Sequence, residues 1–244
     1  MRAVLVRALR FALIAAGVLI FTSVLLVLPL RWVHPPTTAF MLKDDSGREP
    51  LLHAWVDWKN VGTAMPLAVV AAEDQRFADH FGIDFSSVID SLDEARAGRR
   101  LRGASTITQQ LVKNLYLSPT RSFWRKGVEA WLTLVTEALL PKQRILELYV
   151  NLVELGPGIY GVGAASARYY GKPPAALEDM EAALLAAVLP NPVRLRVDAP
   201  SPYVRERQAW ILEQMRRLRR EQWLLRVARG AAQAPGDDGV VVRG

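Results

Sequence analysis

The 244-residue sequence predicts a mainly α-helical domain carried behind one membrane-spanning helix. Three observations lead there. Phe11 to Leu30 is an uncharged, mostly aliphatic run; from Pro66 onward, helix-period segments follow one another with proline or glycine in most gaps; and a hydrophobic content of 51% is enough to bury one substantial core.

As a helix rising about 1.5 Å per residue, Phe11–Leu30 reaches about 30 Å, the thickness of a bilayer's hydrocarbon core. The run is longer than a signal-peptide core and is followed by Arg31-Trp32 rather than a small-residue cleavage site, which favours a retained anchor over a cleaved signal. Arg2, Arg7 and Arg10 precede it, whereas Arg31 alone follows closely and Asp44, Asp45 and Glu49 lie beyond, so residues 1–10 are expected in the cytoplasm and the rest outside. Residues 31–54 contain prolines and mixed charge without a sustained period and read as a linker, with structure beginning near Trp55 and Trp58. The domain proper is expected over 55–229, with helices at Leu67–His80, Phe85–Ala97, Thr106–Leu117, Phe123–Leu140, Lys142–Val153, Gly161–Tyr170, Leu177–Leu189 and Tyr203–Arg229. Residues 230–244 are small and polar until the last valines and read as a disordered tail.

The formal charge of +7 is unevenly placed. Residues 1–31 hold four arginines and no acid, and residues 203–229 hold eight arginines against three glutamates, which leaves the remainder net acidic. Basic segments flanking an anchor suit anionic headgroups, so a membrane is expected as partner and a nucleic acid is not. The absence of cysteine excludes a thiol nucleophile, thiolate metal sites and disulfides.

The most informative stretch is Gly103–Leu117, GASTITQQLVKNLYL. In a helix from Ile107, Gln109, Gln110 and Lys113 project from one side while Ile107, Leu111 and Leu115 mark an apolar face; Ser105, Thr106 and Thr108 are suited to a cap, and the free N–H groups of a helix start suit a phosphate. In AVVAAEDQRFADHFG, a continuous helix puts Glu73, Phe77 and His80 on one side, and a cleft floored by Val69, Val70 and Phe77 would desolvate Glu73 and keep it basic. For Asp74 a cap or salt bridge, and for His80 a satisfied structural histidine, are the commoner roles. Arg125 and Glu129 have i,i+4 spacing, which on its own reads as a surface ion pair. Lys142–Asn151 turns Ile145, Leu146 and Tyr149 to a core, with Glu147 and Asn151 as a structural polar pair. The glycines at 156, 158, 161 and 163 lack the preceding strand and the lysine-serine pair of a nucleotide loop.

Together EDQRF with HFG, GASTITQQLVKNLYL, RKGVE, KQRILELYVN and GPGIYGVGAASARYYGK follow the order and approximate spacing of the peptidoglycan glycosyltransferases, glycosyltransferase family 51, which the chain resembles over about residues 55–195. The resemblance is closer to the monofunctional members, because nothing after the last helix is long enough for a transpeptidase domain and no S-x-x-K occurs. Ala104 departs from the second glycine the family often carries before STITQQ.

The resemblance implies a lysozyme-like helical glycosyltransferase domain that polymerises lipid II into β-1,4-linked glycan with release of undecaprenyl pyrophosphate, by an inverting mechanism and without transpeptidase activity, at the bacterial inner membrane. It assigns Glu73 and Glu129 as catalytic: Glu73 deprotonates the acceptor 4-hydroxyl, and Glu129 orients groups near the donor pyrophosphate or helps hold a divalent cation. Lys113, Arg125 and Lys126 offset leaving-group charge, Ser105, Thr106, Gln109, Gln110 and Asn114 shape the donor site, and Asp74, Phe77 and His80 carry over as substrate-binding positions. No residue is assigned as a metal ligand, and the need for Mg or Mn at the pyrophosphate stays open, since no dedicated metal cage is visible. Expected partners are lipid II, the growing lipid-linked chain, the membrane, and other cell-wall synthesis or division proteins. Two alternatives remain: a lytic transglycosylase or muramidase, which needs no cationic wall, and a non-catalytic membrane-anchored cell-wall module, against which the intact Glu73, Glu129 and Lys113 argue.

Overall fold

The computed structural model describes residues 1–44, 46–48, 50–87, 89, 105–117, 123–220, 223 and 227. The expected helix Phe85–Ala97 beyond its first turn, the Gly103-Ala104 pair and the tail 230–244 lie outside these residues.

Helix α1 runs Arg2–Val27 and continues as a 3₁₀ turn, Leu28–Arg31, tightened at Pro29. The stretch Val4–Arg31 is long and apolar enough to cross a membrane. Phe11, Ile14 and Phe21 are exposed along it, as lipid-facing side chains must be. Its C-terminal end is built into the domain. Val27 and Leu30 are buried, Trp131 Nε1 donates to Ser23 Oγ (2.9 Å), and Arg144 donates through Nε to the Leu30 carbonyl (2.7 Å) and through Nη2 to that of Val33 (3.0 Å).

The segment read as a linker is therefore packed structure. Thr38 and Met41 are buried, and the Ala39 and Phe40 N–H groups bond the Leu115 and Asn114 carbonyls (3.0 and 3.2 Å). These are carbonyls that a helix end leaves without an internal partner, so the connecting chain finishes the helix it crosses. The same segment supplies β1 (Leu52–His53), parallel to β3 (Ile159–Tyr160), which pairs antiparallel with β2 (Glu154–Gly156), giving sheet order β1-β3-β2.

After the single turn α2 (Trp58–Val61) comes α3 (Ala64–Glu73), the axis of the core. Its sequence AMPLAVVAAE is apolar almost all round, Pro66 sits in the first turn where an N–H has no helical partner, and Ala64 to Ala71 are all buried. Around it pack α6 (Lys142–Leu152), α8 (Asp179–Ala187) and α9 (Pro202–Arg220), while α4 (Ile107–Tyr116) bridges α5 (Phe123–Leu139) and α6. Helix α7 (Gly161–Tyr170) lies on α6 and the small sheet.

Glycines of the GPGIYGVG stretch serve this packing rather than a nucleotide. Gly161 has φ +78°, and a Cβ there would come within 2.2 Å of the Asn151 carbonyl oxygen. Asn151, fully buried, stitches α6 to the segment before α2: its Oδ1 accepts from Val56 N (2.8 Å) and its Nδ2 donates to Val56 O (2.9 Å). Glu147 accepts from Trp58 N at the start of α2 (2.9 Å), so Glu147 and Asn151 each hold the chain there, and Asn151 Nδ2 bonds the Glu147 carbonyl rather than its carboxylate (2.9 Å).

Candidate active site

Helix α3 ends at Glu73, and Asp74 leaves helical geometry with φ −159° and ψ 75°. The expected continuous helix to His80 is thus broken, and Glu73, Phe77 and His80 do not share a helix face. The reason is local: Asp74 turns its carboxylate away from α3 to serve another helix. Its Oδ2 accepts from Ile107 N, the first residue of α4 (3.1 Å), and its two oxygens lie 2.8 and 3.0 Å from His80 Nε2. Phe77 has no exposed surface, and Lys142 Nζ stands 4.4 Å from its ring centroid. Asp74, Phe77 and His80 are thus engaged within the protein, Asp74 by Ile107 N and His80, and Phe77 in the core.

The start of α4 is likewise filled by protein. Thr106 and Gln109 form a reciprocal capping box, with Gln109 N bonded to Thr106 Oγ1 (3.2 Å) and Thr106 N to Gln109 Oε1 (3.0 Å). With Ile107 N bound to Asp74, three of the N–H groups at this helix start, those of Thr106, Ile107 and Gln109, are held by protein side chains. Gln109 is buried in the cap and does not share a wall with Lys113. Thr106 Oγ1 also donates to the Gly82 carbonyl (2.5 Å). Gly82 in turn has φ +77°, and a Cβ there would sit 2.7 Å from Glu137 Cγ and Thr133 Cγ2, which explains the glycine of the HFG stretch. Ser105 is exposed, and Asn114 is buried with its carbonyl engaged by Phe40 N.

What remains is a short row of charge. Glu73 closes the C-terminal end of a buried apolar helix, where the helix dipole is negative, and its side chain is 14% exposed. Gln110 Nε2 donates to its Oε2 (2.8 Å) and Arg207 Nη2 to its Oε1 (3.0 Å). Burial pushes the Glu73 carboxyl above the usual carboxylate range, with these two donors and Lys113 pulling the other way. Lys113, one turn beyond Gln110, is held below the usual lysine range by burial; Glu129 and Glu73 favour its charge, while Arg125 and Lys126 oppose it. Its Nζ stands 5.4 Å from the Phe40 ring centroid.

On α5, Arg125 Nη1 meets Glu129 Oε2 (3.2 Å) and Lys126 Nζ meets Oε1. This is no surface pair. The Glu129 side chain is 4% exposed and that of Arg125 14%, so these two charges sit where water screens them little, whereas Lys126 is 53% exposed. The structure thus brings Glu73, Gln110, Lys113, Arg125, Lys126 and Glu129 to one place: a carboxylate able to take a proton at one end, and cations suited to phosphate oxygens at the other.

A transglycosylase family model matches residues 45–216. The chain belongs to that family. Curated relatives named biosynthetic peptidoglycan transglycosylase are similar over most of their length: one from Shewanella oneidensis is 46% identical over 204 residues (82% of this chain, 88% of the relative), one from Stutzerimonas stutzeri 48% over 215 residues (86% and 89%), and one from Pseudomonas aeruginosa 44% over 213 residues (85% and 92%).

The family motifs gain physical roles here, and several functional neighbours come from outside their charged positions. Tyr149 OH donates to Gln110 Oε1 (2.8 Å), which compels Gln110 to present its NH₂ group to Glu73. Glu137, 2% exposed in its side chain, accepts from Thr108 Oγ1 and pairs with Lys142 (2.9 Å), whose Nζ also bonds the His80 carbonyl (2.7 Å). This network ties α4, α5, α6 and the turn after Glu73 together. Among the described residues no group of three or more His, Cys, Asp or Glu is placed to hold a metal ion, and both oxygens of Glu73 and of Glu129 already accept from protein donors.

Proposed function

We propose that the protein polymerises lipid II into β-1,4-linked glycan strands, with Glu73 as the general base. The carrying observation is the pairing of a desolvated Glu73 carboxylate with the Lys113, Arg125 and Lys126 cations inside one transglycosylase domain. Glu73 takes the proton from the acceptor 4-hydroxyl as that oxygen bonds the anomeric carbon of the donor. The bond from that carbon to the pyrophosphate oxygen breaks, its electron pair leaves with undecaprenyl pyrophosphate, and the configuration inverts from α to β. No covalent intermediate is needed.

On the leaving side, charge builds up on phosphate oxygens. Lys113 acts as a point charge, whereas Arg125 offers a planar fork that matches phosphate oxygens in pairs. Glu129 holds Arg125 and Lys126 in place, so its role is orientation. A glycan-cleaving enzyme has no pyrophosphate to neutralise, which sets this reading above a lytic one.

Substrate and product stay tied to lipid, and the site belongs beside the bilayer. The anchor docks directly on α5, where Trp124 is exposed and Trp131 bonds Ser23. The arginines before α1 support a cytoplasmic N-terminus, with the domain on the outer face of the inner membrane. Incubation of the detergent-solubilised full chain with labelled lipid II tests the proposal: polymer is expected, Glu73→Gln should yield none while keeping the fold, and penicillin should have no effect. Shortening of preformed glycan without polymerisation would reverse the assignment.

A further inference from the structure

Helix α9 carries six arginines, and five of them, Arg205, Arg216, Arg217, Arg219 and Arg220, are exposed. Arg207 is the exception. Its side chain is 21% exposed and turns inward beside the buried Val204, Gln208 and Ile211. Through Nη2 it bonds Glu73 Oε1 (3.0 Å) and reaches the Ala72 carbonyl (3.4 Å), so one guanidinium grips the last two residues of α3. An arginine placed there only for a membrane surface would point outward with its neighbours.

We propose that Arg207 is a positioning residue for the base: its guanidinium on Oε1, opposite the Tyr149-ordered Gln110 amide on Oε2, holds Glu73 as an oriented carboxylate. The inference rests on the reading of Glu73 as the base. A carboxylate has about four lone-pair sites, and these two donors occupy one on each oxygen. One site per oxygen stays available to the acceptor hydroxyl, so the grip orients Glu73 without blocking it. It also opposes the burial and the helix-end dipole, both of which favour the protonated form.

The other groups facing Glu73 are Lys113 on α4, Tyr149 on α6, and Asp74 next to it in the chain. Glu129 on α5 acts beyond Lys113. The α8 carboxylates Asp179 and Glu181 are engaged elsewhere, with Arg219 and Lys172. Among the described residues, Arg207 is the cation in direct contact with the base.

The test uses the full chain in detergent. Initial rates of lipid II polymerisation are followed against pH for wild type, Arg207→Met and Arg207→Lys, with kcat and KM separated, and the Glu73 carboxyl is titrated by carbon-13 NMR in each. A base works deprotonated, so its rate is lost as pH falls through its pKa. Removal of a charge-assisted hydrogen bond should move the acid limb of kcat and the NMR midpoint of Arg207→Met to higher pH by about one unit. Arg207→Lys should restore the midpoint with a lower plateau, because an ammonium keeps the charge but loses the fork.

A uniform loss of kcat in Arg207→Met with unmoved midpoints would reduce Arg207 to scaffolding and overturn the proposal. So would a rise in KM alone, which would make it a substrate contact. Should Arg207→Met fail to fold by circular dichroism, Arg207→Gln, which keeps a donor but loses the charge, carries the test through the Glu73 titration: its midpoint should rise, and an unmoved midpoint refutes the proposal. Should Glu73→Gln keep wild-type turnover, the base reading fails by itself while the NMR midpoints still decide whether Arg207 holds the carboxylate.

Discussion

Replacing Asp74 with alanine distinguishes a brace from a substrate contact. Asp74 is 7% exposed and serves two partners, the Ile107 N–H that opens α4 and the His80 ring, whose side chain is itself only 6% exposed. His80 Nδ1 has no hydrogen-bond partner, so loss of Asp74 leaves both ring nitrogens buried without one. A hydrogen bond to a charged group contributes about 1.5–3 kcal/mol, and stranding its buried partner forfeits that in full, so two such partners put the loss at roughly 3–6 kcal/mol. For a domain of this size each kcal/mol moves the melting temperature by about 2–4 °C, giving a drop on the order of 10 °C. Asp74→Asn keeps an oxygen for the Ile107 N–H and should lose less than half as much. Thermal unfolding of both variants by circular dichroism, beside their polymerisation rates, reads the effect. If Asp74→Ala melted with wild type yet made no polymer, the bracing argument would be wrong and Asp74 would touch substrate.

Because burial raises the Glu73 pKa and the base acts deprotonated, polymerisation should be full above that pKa and fade as pH falls through it, with the acid limb above the ordinary carboxylate range; a limb near pH 4 would contradict the desolvated environment. Glu129→Gln keeps the shape but removes the negative charge that pairs with Arg125 and Lys126, and single-turnover rates should fall about 10²–10³-fold, as for loss of one preorganised electrostatic group. An unchanged rate would return that trio to a structural role. Deletion of residues 1–31 should lower the melting temperature far more than deletion of residues 1–20, since only the longer one removes the buried Val27 and Leu30, each contributing about 1.5–3 kcal/mol; equal melting in detergent would show that the anchor's end does not support the domain.

The sequence by itself determined the apolar anchor, the helical class, helices α4 to α8 to within a few residues and the start of α9, whose expected end at Arg229 lies outside the described residues, because helix period, caps and breakers are properties of neighbours in the chain. Through their match to the family motifs it also singled out the charged residues that the fold gathers into one cluster. Glu73, Lys113, Arg125 and Glu129 stand out as polar positions on segments whose other residues belong to a core. What it misread was where polar groups find partners. Helix α3 stops at Glu73 instead of His80 because Asp74 binds an N–H 33 positions later, and the chain around Thr38–Met41 is packed because Ala39 and Phe40 finish the end of α4. The Glu73–Arg207 pair, 134 positions apart, and the Tyr149–Gln110 bond, 39 apart, follow from how α3, α4, α6 and α9 lie against one another. Periodicity says which side of a helix turns inward. Only the packing decides which other helix it meets there, and therefore which donor reaches the base.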